Sequence, residues 1–150
     1  MPKVPPFDVR TSQCIICGDV NPIGMRVSFI ANQQGAQASL SVSEEWQGYE
    51  AIVHGGIVAG MLDDAMWHAI YQRTQRWTVT AEIRIRYKRP VEIEQPIWVF
   101  GWVDRVDQRL IRAQAEIRHV NAEGQILAAG EGRFMPAPEG ILRETRHDVG

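Results

Sequence analysis

The sequence contains no run of about 18 apolar residues, the length that a membrane-spanning helix needs. Residues 1–6 have no apolar segment of the kind found in secretory signals. The net charge is −2, with 16 Lys and Arg against 18 Asp and Glu, so no overall positive field attracts nucleic acid. These absences predict a cytoplasmic location, with neither a membrane nor a nucleic acid as partner.

The sequence contains only two cysteines, Cys14 and Cys17, and they form a single CxxC motif. Zinc needs about four ligands, and the sequence offers no second CxxC and no His pair near the first. No helical pattern follows the motif directly, which argues against a thioredoxin-like redox pair. The simplest interpretation is two reduced thiols in a loop, with a zinc site shared between two subunits as the alternative. We therefore predict no metal and no cofactor.

The size and composition are those of one folded domain. The chain has 150 residues, of which 45% are hydrophobic, enough to build a core. Residues 1–12 are rich in proline, and residues 136–150 are polar. We predict a single domain over residues 1–150, with loosely held arms at 1–12 and 136–150.

A helix is predicted over residues 56–71, where apolar residues recur at helical spacing. Few positions in this segment are plainly solvent-facing, so the helix is expected to be buried. Asp63 then lies about two turns inside an apolar helix, where an unpaired carboxylate costs several kcal/mol. The apolar stripe comprises Ile57, Val58, Met61, Leu62, Ala65, Met66, Ala69 and Ile70, and Gly56, Ala59, Gly60 and Asp63 form a second face.

The residues leading into this helix are His54, Gly55 and Gly56. No Ser, Thr, Asp or Asn occupies the expected N-cap position. Free backbone N–H groups and the helix dipole make such an end electropositive, and glycines let a ligand atom approach closely. The arrangement suits an oxyanion or a polarised carbonyl.

Alternation of apolar and polar residues predicts strands at 25–29, 36–42, 79–87, 97–104, 111–118 and 126–134. Small residues on one strand face would let the sheet curve around the helix; these are Ala113, Ala115, Ala128, Gly130 and Gly132. Consecutive strands joined by hairpins predict an α+β fold with a mostly antiparallel sheet. Exposed aromatic residues on the other face, Trp98, Phe100 and Trp102, predict a homodimer or homotetramer.

Four sequence blocks resemble the acyl-CoA thioesterases of the hotdog fold, in the PaaI-like (phenylacetate-type) branch. The resemblance runs from about residue 14 to residue 135. It implies a curved antiparallel sheet of five or six strands wrapped around one central helix, acyl-CoA as substrate, and active sites between two subunits. The blocks are His54-Gly55-Gly56 followed by Asp63; Cys14-Ile15-Ile16-Cys17-Gly18 with Asn21-Pro22-Ile23-Gly24-Met25; Trp46-Gln47-Gly48-Tyr49; and Tyr87-Lys88-Arg89-Pro90.

The resemblance also assigns catalytic roles. Asp63 is expected to be the general base or the nucleophile. The N–H groups of Gly56 and Gly55 would polarise the carbonyl, and His54 would orient that loop or hydrogen-bond the thioester. Thr80 is similar to the family's hydroxyl that positions water. The alternation, however, places Thr80 on the polar face of its strand, so a bulge or a cross-subunit position is needed.

Several roles stay open in the sequence. Asp64 is the rival carboxylate, although an i,i+4 ion pair with His68 is its simpler interpretation. Gln47 and Tyr49 could reach a ligand or merely make a loop polar. Some side chains could hold the phosphates of CoA or form a solvated face: Arg84, Arg86, Lys88 and Arg89. Others could line an acyl pocket or belong to the core: Trp46, Tyr49, Met61, Trp67 and Tyr71. The alternative function is a non-catalytic acyl-CoA binding or sensing protein, whereas the motifs of hotdog dehydratases are missing.

Overall fold

The computed structural model describes residues 12–120 and 124–138. One long helix, α1, spans Gly55–Thr74. Two strands precede it, β1 (Ile30–Ala31) and β2 (Gly35–Leu40). A short 3-10 turn at Glu44–Trp46 lies between β2 and the helix. Four long strands follow it: β3 (Thr78–Tyr87), β4 (Ile97–Val106), β5 (Ile111–His119) and β6 (Ile126–Pro136).

The six strands form one antiparallel sheet in the order β1-β2-β4-β5-β6-β3. The sheet curves around α1, which confirms the predicted α+β class and the hotdog fold. β3 pairs with β6 on one side and, among the described residues, has no neighbouring strand of this sheet on the other, so it lies at one edge of the sheet. That edge runs alongside α1, and both elements carry predicted site residues.

The core lies between α1 and the inner face of the sheet. Met61, Leu62, Ala65, Met66 and Ile70 of the helix are fully buried. Inward residues of the strands cover them, including Ile97, Val99, Ala115, Ile117 and Phe134. A Cβ at Gly101 of β4 would lie only 2.5 Å from the Ala65 carbonyl oxygen. Only glycine therefore allows the helix backbone to come this close to the sheet.

The helix is longer than the predicted range of 56–71. It begins one residue earlier, at Gly55, and continues to Thr74. Gln75 ends it in the left-handed conformation, with φ of 56°, and donates its N–H to the Tyr71 carbonyl. This is a common way for a helix to end, but glycine or asparagine is the usual residue there. Of the described residues, none form a helix long and apolar enough to cross a membrane.

The predicted strand at 25–29 is wrong in its position. Met25 and Val27 donate their N–H groups to the carbonyls of Ile15 and Ile16, at 2.8 and 2.7 Å. This extended segment therefore holds the cysteine-containing loop, and pairing within the sheet begins only at Ile30.

The last strand continues two residues beyond its predicted end at residue 134. Pro136 still pairs with Thr78, and Ala137 donates its N–H to the Trp77 carbonyl at 2.9 Å. The rest of both predicted arms, apart from residues 12 and 138, lies outside the described residues.

Three aromatic residues of β4 lie on the outer face of the sheet, as the alternation predicts. Trp98 is 46% exposed, and Phe100 stacks on Trp102 with ring centroids 5.8 Å apart. Among the described residues, Arg118 lies over this face, with its guanidinium carbon 5.8 Å from the Phe100 ring centroid. The expected oligomer stays a prediction.

Candidate active site

The amino-terminal end of α1 is capped by a histidine. The Nδ1 atom of His54 accepts a hydrogen bond from the Gly56 N–H at 2.8 Å. The N-cap position lacks the usual Ser, Thr, Asp or Asn, and His54 takes their place. An accepting Nδ1 carries no proton, so the neutral ring has its N–H at Nε2. This contact is of the kind needed for one of the two predicted roles of His54, the orientation of the glycine loop.

The cap changes which glycine offers a free donor. Gly56 is already engaged, so its N–H is not available to a carbonyl oxygen in this conformation. Ile57 and Val58 both donate to the His54 carbonyl, at 2.9 and 3.1 Å. In the described part of the chain, the Gly55 N–H has no acceptor. The first turn of α1 therefore presents one free donor, at Gly55 rather than at Gly56.

The same glycine is held by a side chain to which the sequence analysis assigned no role. The Tyr87 hydroxyl, at the end of β3, donates to the Gly55 carbonyl at 2.7 Å. This bond fixes the plane of the peptide that follows Gly55 and ties the helix start to the edge strand. The sequence analysis placed Tyr87 at the end of a strand and in one of the four resembling blocks, but it assigned the side chain no role in the site.

A cavity of about 620 Å³ opens at this end of the helix. Its volume lies in the range of small-molecule sites. Tyr49 lies at its rim and is 89% exposed. The lining residues are Gly48, Tyr49, Ile52, Val53, His54, Gly55, Val58, Tyr87, Lys88, Arg89, Pro90 and Val91.

Asp63 lies further along the same helix and is hydrogen-bonded by the predicted partner. The Thr80 hydroxyl donates to Asp63 Oδ1 at 2.6 Å. Burial raises the pKa of Asp63, and the bond from Thr80 lowers it in part. The helix segment is less buried here than predicted, since Asp63 is only half-buried.

A β-bulge brings Thr80 to this position. The register between β3 and β6 shifts between Thr80 and Glu82. Thr80 pairs with buried Phe134 and faces the helix, whereas regular alternation would place it with Glu82 and Arg84. The bulge is the first of the two explanations that the sequence required.

Asp64 faces a different environment from Asp63. It lies 3.8 Å from Cys14 Sγ and 3.9 Å from His68 Nε2. Burial, and next the charge of Cys14, raise the pKa of Asp64 to about 7, and burial lowers that of His68 to about 4. The predicted i,i+4 ion pair is therefore not an ordinary one, because His68 is neutral near pH 7. Asp64 does not line the cavity.

The glycine end and Asp63 form two separate half-sites within one chain. Eight residues of helix separate Gly55 from Asp63, which corresponds to about 12 Å along the axis and about 80° around it. One carboxylate side chain cannot span that distance. A single chain therefore does not bring the free N–H and the candidate base to the same substrate atom.

Comparison with known proteins identifies the family. A model of the thioesterase superfamily matches residues 50–124, half of the chain. The chain belongs to the thioesterase superfamily. Curated proteins give no match.

Solved structures of other thioesterase superfamily proteins are similar to this one. One such protein is 26% identical, with a TM-score of 0.74, over 82% of this chain and 60% of its own. The PaaI protein of the E. coli phenylacetic acid degradation operon is 17% identical, with a TM-score of 0.65, over 73% and 82%. A hypothetical thioesterase protein from Streptococcus pneumoniae, solved with coenzyme A, is 13% identical, with a TM-score of 0.66, over 73% and 84%. Together with the family match, these likenesses confirm the predicted hotdog thioesterase family.

The four cationic side chains that could hold the CoA phosphates lie in two different places in the structure. Lys88 and Arg89 line the cavity. Arg84 lies on the outer face of β3, where it is 3.6 Å from Glu131, and Arg86 shares that face. Alternation along β3 turns these two residues away from the helix, and the predicted role of the four cations in phosphate binding stays a prediction.

The structure also shows where the other candidate ligand-binding side chains lie. The Gln47 side-chain oxygen accepts the Ala51 N–H at 3.2 Å and serves its own loop, and Gln47 does not line the cavity. Met61 is fully buried in the core. Trp67 and Tyr71 stack on each other with centroids 5.3 Å apart. Of the five aromatic and Met candidates for an acyl pocket, Tyr49 alone lines this cavity.

Proposed function

We propose that the protein hydrolyses acyl-CoA thioesters to the free acid and CoA. The observation that carries the proposal is the Gly55 N–H, which has no acceptor among the described residues and borders a cavity at a helix amino terminus. A thioester carbonyl oxygen placed there would receive one hydrogen bond and the positive end of the helix dipole. Negative charge develops on that oxygen as water attacks, so the stabilisation grows towards the transition state.

Asp63 is the group that activates water in this proposal. A carboxylate held by Thr80 in a partly dry place is a stronger base than one in water, because burial raises its pKa. The carboxylate takes a proton from water, and the water oxygen bonds to the acyl carbon. The carbon–sulfur bond then breaks, and the CoA thiolate takes the proton back from Asp63 and leaves as the thiol. An Asp63 nucleophile that forms an anhydride is the second possible route to the same products.

Two copies of the chain are needed to complete one site. The half-sites lie along the edge strand β3, with Thr80 beside Asp63 near its start and Tyr87 beside Gly55 at its end. Antiparallel pairing of two β3 edges around residues 83 and 84 sets Thr80 across from the partner's Tyr87. Asp63 of one copy then approaches the glycine end of the other. A ten-residue edge strand with free N–H and carbonyl groups is suited to such pairing.

The substrate class is supported by the cavity and by one structural neighbour. Lys88 and Arg89 lie beside the mostly apolar cavity and could contact the phosphates of CoA while the acyl or pantetheine part lies within. The Streptococcus pneumoniae neighbour was solved with coenzyme A. Tyr49 at the rim is the predicted residue best placed to contact the ligand.

Release of free thiol from a panel of short, medium and aryl acyl-CoAs tests this function. We expect turnover of at least one of them by the purified protein. A non-catalytic acyl-CoA binding protein is the alternative from a different class, and it predicts tight binding of acyl-CoA without thiol release. Binding measured by calorimetry on the same panel distinguishes the two, and saturable binding with no turnover contradicts the enzyme.

A further inference from the structure

The loop over residues 12–24 brings both cysteines against the side of α1. Gly18 donates its N–H to the Cys14 carbonyl at 2.9 Å, and the Cys17 N–H points at Cys14 Sγ at 3.5 Å. A Cβ at Gly18 would lie 2.1 Å from the Ser12 carbonyl oxygen, so the turn after the second cysteine requires glycine. Ile16, between the cysteines, packs against the bare backbone of Gly60. The turn therefore holds both sulfur atoms on the helix side.

Asp64 joins the two sulfur atoms from the helix. Both oxygens of Asp64 lie 3.8 Å from Cys14 Sγ, and one ligand atom from each of Cys14, Cys17 and Asp64 lies within 4.8 Å of the others. Around one tetrahedral zinc ion, a sulfur and an oxygen ligand are about 3.5 Å apart, and two sulfurs about 3.8 Å. The observed separations are close to these values, so small side-chain rotations suffice to place all three around one ion.

His68 is the candidate for a fourth ligand and lies one helical turn after Asp64. Its Nε2 is buried and has no hydrogen-bond partner among the described residues, and it lies 3.9 Å from Asp64 Oδ2. Stacking on Phe29, with centroids 4.8 Å apart, holds the ring in place. A buried ring nitrogen without a partner is costly, and an imidazole nitrogen is the commonest metal ligand in proteins.

The charges in this group also favour a cation. The side chains of Asp64 and His68 are each only 15% exposed. The groups that face the Asp64 carboxylate are two thiols and an imidazole, which are weak or distant hydrogen-bond partners. A buried carboxylate in such surroundings costs several kcal/mol, which a bound dication offsets.

We propose that Cys14, Cys17, Asp64 and His68 bind one zinc ion that fastens the amino-terminal loop to α1. Two sulfur ligands select zinc over magnesium or calcium, which prefer oxygen. Four protein ligands leave no open position, so this ion is structural rather than catalytic. The site lies within one chain and is independent of the proposed thioesterase activity.

Metal analysis of the full chain tests the proposal. The protein is produced without a polyhistidine tag in zinc-supplemented medium and analysed by mass spectrometry of the metal. We expect about one zinc per chain, and less than about a tenth of that in the double variant Cys14→Ser, Cys17→Ser. Asp63→Asn is the matched control, because it removes one carboxylate from the adjacent residue and should keep the zinc. Full zinc in the double serine variant overturns the assignment.

Cobalt substitution tests the ligands without relying on variants that may fold poorly. Reduced wild-type protein, stripped of metal by a chelator, is titrated with Co²⁺ alone. The proposal expects a thiolate-to-cobalt charge-transfer band and the strong visible bands of a tetrahedral site. Absence of both overturns the site. His68→Ala should weaken zinc binding at least tenfold, as loss of a ligand does, and unchanged affinity overturns the role of His68.

Discussion

Replacement of Gly55 by proline removes one hydrogen-bond donor and puts a ring carbon on the backbone nitrogen in its place. Gly55 is the first residue of α1, a position where proline is favoured because its N–H is not needed by the helix. His54, the residue before it, has φ of −56° and ψ of 136°, the extended conformation that a residue before proline prefers. The substitution should therefore fold normally and delete the donor that we assign to the thioester carbonyl.

The expected loss follows from the cost of one missing donor to a developing oxyanion. That cost is about 100- to 1000-fold in kcat, or about 3–4 kcal/mol in the barrier. The assay is thiol release from the best acyl-CoA of the panel, with kcat and KM measured separately. Thermal unfolding of the variant checks that its fold is intact.

Gly55→Ala is the matched control, because alanine keeps the N–H. A Cβ there would lie 3.6 Å from the Tyr87 hydroxyl oxygen, an ordinary contact. We expect the alanine variant to lose far less kcat than the proline variant. Equal kcat in the folded proline variant and the wild type refutes the assignment of the Gly55 N–H, and equal losses in both variants indicate a steric effect.

Two further predictions concern the base and the assembly. Asp63→Ala should lower kcat by about a hundredfold or more, as loss of a general base does. Asp64→Ala should act mainly on zinc content and stability. A loss of kcat in a folded Asp64 variant but not in the Asp63 variant contradicts the assignment. Sedimentation should give at least twice the chain mass of 17.0 kDa, since the half-sites lie apart in one chain, and a stable active monomer contradicts the shared site.

The fold was accessible from the sequence because its signals are local. Alternation along β3 to β6 and the apolar stripe of α1 each arise from the burial of one face. Alanines and glycines facing the helix indicated a curved sheet, and Gly101 shows the reason, since its missing side chain admits the helix backbone. The segment at 25–29 alternates equally well but bonds to the cysteine loop, a choice between partners that alternation alone does not decide.

The candidate site was accessible only in part, because its decisive contacts are not local. The position of Thr80 depends on a bulge, which pattern counting does not detect. The choice of Gly55 over Gly56 depends on the rotamer of His54. The cysteine motif lacked ligands in sequence because Asp64 lies 50 residues from Cys14 along the chain.

Coexpression of two inactive variants tests the central claim, that the Gly55 N–H of one copy acts together with Asp63 of the other. A mixed dimer of Gly55→Pro and Asp63→Ala chains contains one intact site and one doubly altered site. With random pairing, half of the dimers are mixed, so the account predicts thiol release at about a quarter of the wild-type rate per chain. Activity no greater than that of the two variants alone, in a preparation shown to contain mixed dimers, contradicts it.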